Sequence, residues 1–145
     1  MVRYFSDDGI FDGPVDKIWR LIQAHSDTNV HHIHASFVSA KTTEERAGVY
    51  HTRAQMRMPD GRVGPFAMRT TPRPPHGQLV EFTEGPFQGS WFVSVYLPEG
   101  ASKTRVVTTG EFAIPGLDDA SVLKAVDDFM EHGFAEDNAY LRKMT

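Results

Sequence analysis

The chain has 145 residues, 40% of them hydrophobic and 23% charged, which describes one ordinary globular domain spanning 1–145 rather than a disordered polymer. A formal net charge of −4 with no block of Lys or Arg excludes the electrostatic footprint of a nucleic-acid binder. The lack of cysteine excludes disulfides and thiolate metal sites and fits a reducing, cytoplasmic setting. Met1-Val2-Arg3-Tyr4 has no signal-peptide pattern, and the most apolar stretch, Trp91 to Leu97, is too short to span a membrane.

In chain order, Val2 to Phe11 mixes aromatic and β-branched residues with polar ones and predicts a first strand. Asp12-Gly13-Pro14 then supplies a cap and a first-turn proline. Val15, Ile18, Trp19 and Ile22 follow at helical spacing, predicting a short amphipathic helix to about His25. Ser26 to His34 is polar and His-rich, a loop or short irregular helix. Six strand-like runs come next: Ser36–Thr43, Gly48–Met58, Arg62–Thr71, Gln78–Thr83, Gly89–Leu97 and Thr104–Ile114. They are divided by Gly/Pro punctuation such as Pro59-Asp60-Gly61 and Pro98-Glu99-Gly100, so neighbours should be antiparallel. A long helix ends the chain, capped by Asp118 or Asp119, with Val122, Val126, Phe129, Met130, Gly133, Leu141 and Met144 on one stripe. The charged residues Lys124, Asp127, Asp128, Glu131 and Glu136 are expected mostly away from it. A sheet of about seven strands with one apolar face needs a cover, and the last helix is the candidate; pockets form in such gaps. The expected class is α+β.

Several segments also carry a family likeness. Glu84-Gly85-Pro86-Phe87-Gln88 leads into an aromatic strand, followed by Pro98-Glu99-Gly100, Thr104-Arg105-Val106 and Glu111-Phe112-Ala113-Ile114-Pro115. Upstream stand Met58-Pro59-Asp60-Gly61-Arg62-Val63 and Ala67-Met68-Arg69. Together with the element order, these resemble the START-like (SRPBCC, Bet v 1-like helix-grip) superfamily, and within it the polyketide aromatase/cyclase branch and its coenzyme-Q-binding relatives. The resemblance implies a curved antiparallel sheet wrapped around the C-terminal helix and a small hydrophobic or aromatic ligand inside. It further implies cyclisation and dehydration of a substrate delivered on an acyl carrier protein, without a metal or organic cofactor. Asn29-Val30-His31-His32 departs from the family's usual Trp-Pro pair, Val63 and Pro65 from its tryptophans, and Met130 and His132 from its helix asparagine.

Cyclising a poly-β-ketone requires confinement, a fixed cation for the developing oxyanion and a group that moves protons near neutral pH. The resemblance puts Arg69 on an inward-pointing strand position, where its rigid fork of donors would polarise an oxygen. Alternation alone says otherwise: Val63, Pro65, Ala67 and Arg69 share one face, and Phe66 with Met68 the more apolar one. His34 and His132 are the candidate proton carriers. The His31-His32-His34 group reads as a polar surface loop rather than a metal centre, since neither cysteine nor an HExxH pattern accompanies it. Trp91, Tyr50, Met56, Phe66, Met68, Phe82, Phe129 and Met130 are the expected ligand-contacting side chains. Gly133 either leaves room beneath the helix or allows close packing. A lipid or quinone carrier is the alternative function, needing only the cavity. Exposed strand edges allow a homodimer without specifying one.

Overall fold

The structure, a computed structural model, describes residues 1–25 and 33–144. His31, His32 and most of the expected 26–34 loop lie outside them. The elements are β1 (Val2–Phe11), α1 (Val15–Ala24), β2 (Phe37–Arg46), β3 (Val49–Arg57), β4 (Val63–Arg73), β5 (Gly77–Glu84), β6 (Trp91–Glu99), β7 (Lys103–Phe112) and α2 (Asp119–Lys143). The strands form one curved antiparallel sheet in the order β1-β7-β6-β5-β4-β3-β2. Six strands joined in sequence by short turns pair with their neighbours, and β1 closes onto β7 at the far side. The expected α+β, helix-grip arrangement is therefore the one observed.

Element ends follow local chemistry. Pro14 stands at the N-cap of α1 and His25 at its C-cap. Asp118 caps α2 by accepting the Ser121 N–H through Oδ1 at 2.8 Å, while Arg142 and Lys143 sit in the last turn, where cations favour the helix dipole. Strand β2 runs three residues beyond the predicted Thr43, because Glu44 and Arg46 continue the ladder opposite Tyr50 and Val49. Their charges suit an edge strand, where side chains meet water and discourage pairing with other chains. Gly48, at φ 76°, makes the tight return into β3.

Strand alternation decides which side chains meet α2. Phe66 on β4, Val80 and Phe82 on β5 and Phe112 on β7 point inward and pack with Val122 and Val126 of α2. Phe112 is fully buried, and its ring meets those of Tyr4, Phe82, Phe87 and Phe92 at centroid distances of 6.0, 6.0, 5.8 and 6.4 Å. Gly110 makes this crowding possible, since a Cβ there would run into the Phe92 side chain and the Trp91 carbonyl oxygen. At the other end, Asn138 fastens α2 to β1 by accepting the Asp12 N–H at 2.9 Å and donating to the Ile10 carbonyl at 3.1 Å. The Asp12 carboxylate accepts from Lys103 at 3.0 Å and from Arg142 at 3.0 and 2.6 Å, tying β7 and α2 together. Those two cations hold its pKa below the ordinary value.

Two outcomes follow from this packing. Phe112→Ala should lose about 3–5 kcal/mol in denaturant unfolding, because its neighbours cannot collapse into the space. Asp12 has a depressed folded pKa, so its contribution is present above the unfolded value and disappears as the pH falls through the folded one. Asp12→Asn should therefore cost about 1 kcal/mol or less at pH 7, since the pairs are partly exposed, and the two proteins should converge as the pH falls through the depressed folded pKa of Asp12.

Candidate functional site

The interior is not one continuous core. One apolar cluster gathers Phe66, Val80, Phe82, Phe87, Phe112, Val122 and Val126, with Met56, Met68, Phe129 and Met130 packed against it. A second gathers Phe11, Ile18, Leu21, Tyr96, Val106 and Leu141, with Trp19 and Phe134 against it. The division is marked by small or polar residues on β6, β7 and α2, and Ser94 and Thr108 are register partners. On β6, Ser94 stands between Phe92 of the first cluster and Tyr96 of the second; on β7, Thr108 stands between Phe112 and Val106. On α2, Gly133 stands between Met130 and Phe134. Among the described residues, a Cβ at Gly133 would meet only His34 Cε1, at 4.0 Å, so the glycine does not serve a close contact of helix on sheet.

The side chains at this division are polar. The Ser94 and Thr108 hydroxyls bond to each other at 2.9 Å, both buried. Gln78 Nε2 donates to the Tyr96 hydroxyl at 2.9 Å. Gln78 Oε1 and Trp19 Nε1 are buried without a hydrogen-bond partner among the described residues. Both adjoin Tyr96, whose ring meets Trp19 edge-on at 5.6 Å. Burial, and then the nearby Asp137 charge, push the Tyr96 pKa up, so its hydroxyl stays neutral.

A titratable cluster lies beside Gly133. His25 Nδ1 donates to the Leu21 carbonyl at 2.8 Å, and its Nε2 lies 2.9 Å from His34 Nε2 and 3.1 Å from Asp137 Oδ1. His34 Nε2 is 3.1 Å from the same Asp137 oxygen, and its Nδ1 is 3.0 Å from Glu136 Oε1. The other Glu136 oxygen accepts the Ala35 N–H at 3.1 Å. The His34 side chain is 13% exposed. Burial alone would lower its pKa, but Asp137 and Glu136 outweigh that and hold it above the ordinary value. Burial would likewise raise Asp137, and the two histidines hold it down.

The sequence-predicted residues divide accordingly. His34 is not a surface loop histidine, because α2 carboxylates draw it inward. His132 is 70% exposed, yet its Nε2 lies 3.4 Å from the Glu136 oxygen that His34 contacts. Phe66 and Phe82 are core, Met56, Met68, Phe129 and Met130 line it, and Tyr50 shares the inward face with Thr52 and Ala54. Arg69 and Trp91 depart from expectation. Arg69, Glu81, Trp91 and Glu111 form one row of register partners across the sheet, on the face opposite Phe66, Phe82, Phe92 and Phe112. Arg69 is paired there with Glu45 at 2.7 and 3.1 Å. Its surroundings form an open depression of about 400 Å³ lined by His51, Arg53, Thr83 and Gln88 among others. Glu136, expected on the outer stripe of α2, is 18% exposed and holds His34. His25 and Asp137 were not foreseen. The available signal was Asp137 one turn beyond Gly133 on the same helix face, beside a histidine-rich segment.

No family model matches the chain, and no curated protein matches it in sequence. Solved structures do match. The di-domain ARO/CYC StfQ from the steffimycin biosynthetic pathway superposes with a TM-score of 0.76 at 10% identity, over 97% of this chain and 51% of that one. The Zhui aromatase/cyclase from Streptomyces sp. R1128 gives 0.69 at 14% identity, over 96% and 88%. Ara h 8.0201 gives 0.73 at 12% identity, over 98% of both chains. The chain has the Bet v 1-like, helix-grip fold of these proteins and spans about half of the di-domain one.

Two substitutions check this anatomy. Gly133→Ala should stabilise the protein by about 0.5–1 kcal/mol in thermal or denaturant unfolding, the helix propensity gain without a clash. Arg69→Ala, which removes one partly exposed ion pair on the outer face of the sheet, should leave the denaturant midpoint nearly unchanged.

Proposed function

We propose that this protein binds one small, largely apolar molecule carrying both hydroxyl and carbonyl or ether oxygens, held between the sheet and α2 at the level of Gly133. The observation that carries the reading is the divided core. Phe92, Phe129 and Met130 on one side and Tyr96, Val106 and Phe134 on the other offer apolar walls against which a ligand lodged between them would bury its apolar body. Among the described residues Gln78 Oε1 lacks a donor and Trp19 Nε1 lacks an acceptor, so a ligand hydroxyl and a ligand carbonyl or ether oxygen would complete them. Few polar groups placed in an apolar cleft are what ligand sites use for orientation.

The aromatase/cyclase reading asks more of the site. It needs a fixed cation beside the substrate oxygen, and Arg69, its candidate, is on the other face of the sheet with Glu45 as its partner. Binding without cyclisation, as a carrier does, therefore has the better support. Delivery by an acyl carrier protein and pairing of two copies through sheet edges belong to the cyclase and homodimer expectations, and binding requires neither.

Native mass spectrometry with a panel of hydroxylated aromatic ketones, quinones and fatty acids tests this. Selective retention of the hydroxy-ketones at one per chain is expected, weakened about tenfold by Gln78→Leu, the value of about one hydrogen bond, and unchanged by Arg69→Ala. Retention weakened by Arg69→Ala and indifferent to Gln78→Leu would overturn the reading.

A further inference from the structure

His25, His34 and Asp137 meet in a way that hydrogen bonding among themselves does not explain. A carbonyl oxygen only accepts, so the 2.8 Å contact between His25 Nδ1 and the Leu21 carbonyl places a hydrogen on that Nδ1. A carboxylate likewise accepts, so His34 Nδ1, 3.0 Å from Glu136 Oε1, carries one too. In each neutral ring the remaining nitrogen, Nε2, then bears a lone pair. The two Nε2 atoms lie 2.9 Å apart, and each is 3.1 Å from Asp137 Oδ1. Three electron-rich atoms form a nearly equilateral triangle. They repel unless a cation sits among them. One proton on a ring nitrogen serves two edges of the triangle and leaves lone pair facing lone pair on the third. One ion equidistant from all three serves every edge.

The spacing and the atoms say which ion. Ligands about 2.1 Å from a metal stand about 3.0 Å apart at right angles and about 3.4 Å apart at the tetrahedral angle. The edges of 2.9, 3.1 and 3.1 Å fit right angles, a facial set that leaves three coordination positions for water or an oxygen ligand. Two imidazoles and one carboxylate suit first-row divalent transition metals, unlike calcium or magnesium, which take oxygen donors. The outer contacts agree. Metal-bound histidine usually donates its other N–H to a carbonyl or a carboxylate, and here those acceptors are Leu21 and Glu136, with Glu136 itself held by the Ala35 N–H at 3.1 Å. Each ligand comes from a different part of the chain: the C-cap of α1, the approach to β2, and α2.

We propose that His25 Nε2, His34 Nε2 and Asp137 Oδ1 bind one divalent first-row transition-metal ion, with the Leu21 carbonyl and Glu136 fixing the two imidazole rings. This site is separate in its residues from the Gln78–Tyr96–Trp19 groups proposed to orient an organic ligand, and it stands or falls independently of them.

Cobalt(II) is the probe, added to the full chain after chelator treatment and dialysis. The expected result is one equivalent bound, visible d–d absorption from a site containing imidazole, and displacement by zinc(II). Asp137→Asn and His25→Ala should each weaken binding at least about 100-fold, and Glu136→Gln, which leaves the three ligands in place, about 10–100-fold. Near-UV circular dichroism of the tryptophans reports whether each variant is folded. Should either ligand variant unfold, nitrogen-15 spectra of the wild-type imidazoles decide: zinc(II) should move two Nε2 resonances while both Nδ1 sites keep their hydrogens. Absence of cobalt binding to the folded chain overturns the proposal. So does binding that survives Asp137→Asn undiminished, which would assign the metal to surface histidines.

Discussion

The break in the core at Gly133, Ser94 and Thr108 is the constraint on which the rest of this structure turns. Uninterrupted apolar residues there would have joined the two clusters and seated α2 directly on the sheet. Instead α2 carries a mid-helix glycine, which gives up about 1 kcal/mol relative to alanine, and β6 and β7 carry two buried hydroxyl residues whose partners are each other. The fold tolerates this because both ends are secured separately. Stacked and edge-on rings around Phe112 hold one end. Asn138 and the Asp12 ion pairs hold the other. Gln78 Oε1 and Trp19 Nε1, which have no partner among the described residues, both adjoin Tyr96 on the second cluster's side of this break.

The architecture was legible because its signals are local. Glycine and proline punctuation between alternating runs located the six consecutive strands, and the 3.6-residue spacing of Val122, Val126 and Phe129 located α2. Alternation also oriented β4 correctly, setting Phe66 and Met68 against Arg69. The family likeness argued for an inward Arg69. An arginine on the buried face would need a carboxylate there, while Glu45 on the next-but-one strand offers one on the outer face. Trp91 follows by the same logic, since Phe92, Ser94 and Tyr96 take the inner positions of β6.

The titratable cluster was hidden for a different reason. His25 and Asp137 are 112 residues apart and His34 and Glu136 are 102 apart, so no motif joins them. Only the fold does, by laying the end of α1 and the approach to β2 beside the same two turns of α2. The adjacent carboxylates Glu136 and Asp137 read as ordinary solvated charge on a helix, because sequence cannot say where a long helix turns from covering the sheet to covering α1. The divided core was partly visible. Gly133 stood out in the stripe, but choosing between an opening and a close contact required knowing what a Cβ would touch, which among the described residues is His34.

The central claim is that the space between the two clusters, not the outer face of the sheet, receives a molecule. Nuclear Overhauser contacts between a retained ligand and methyl-labelled protein test it most directly. The account predicts contacts from one ligand to Met130, in the first cluster, and to Val106, in the second. Contacts confined to the exposed methyls of Val95 and Leu97 would contradict it.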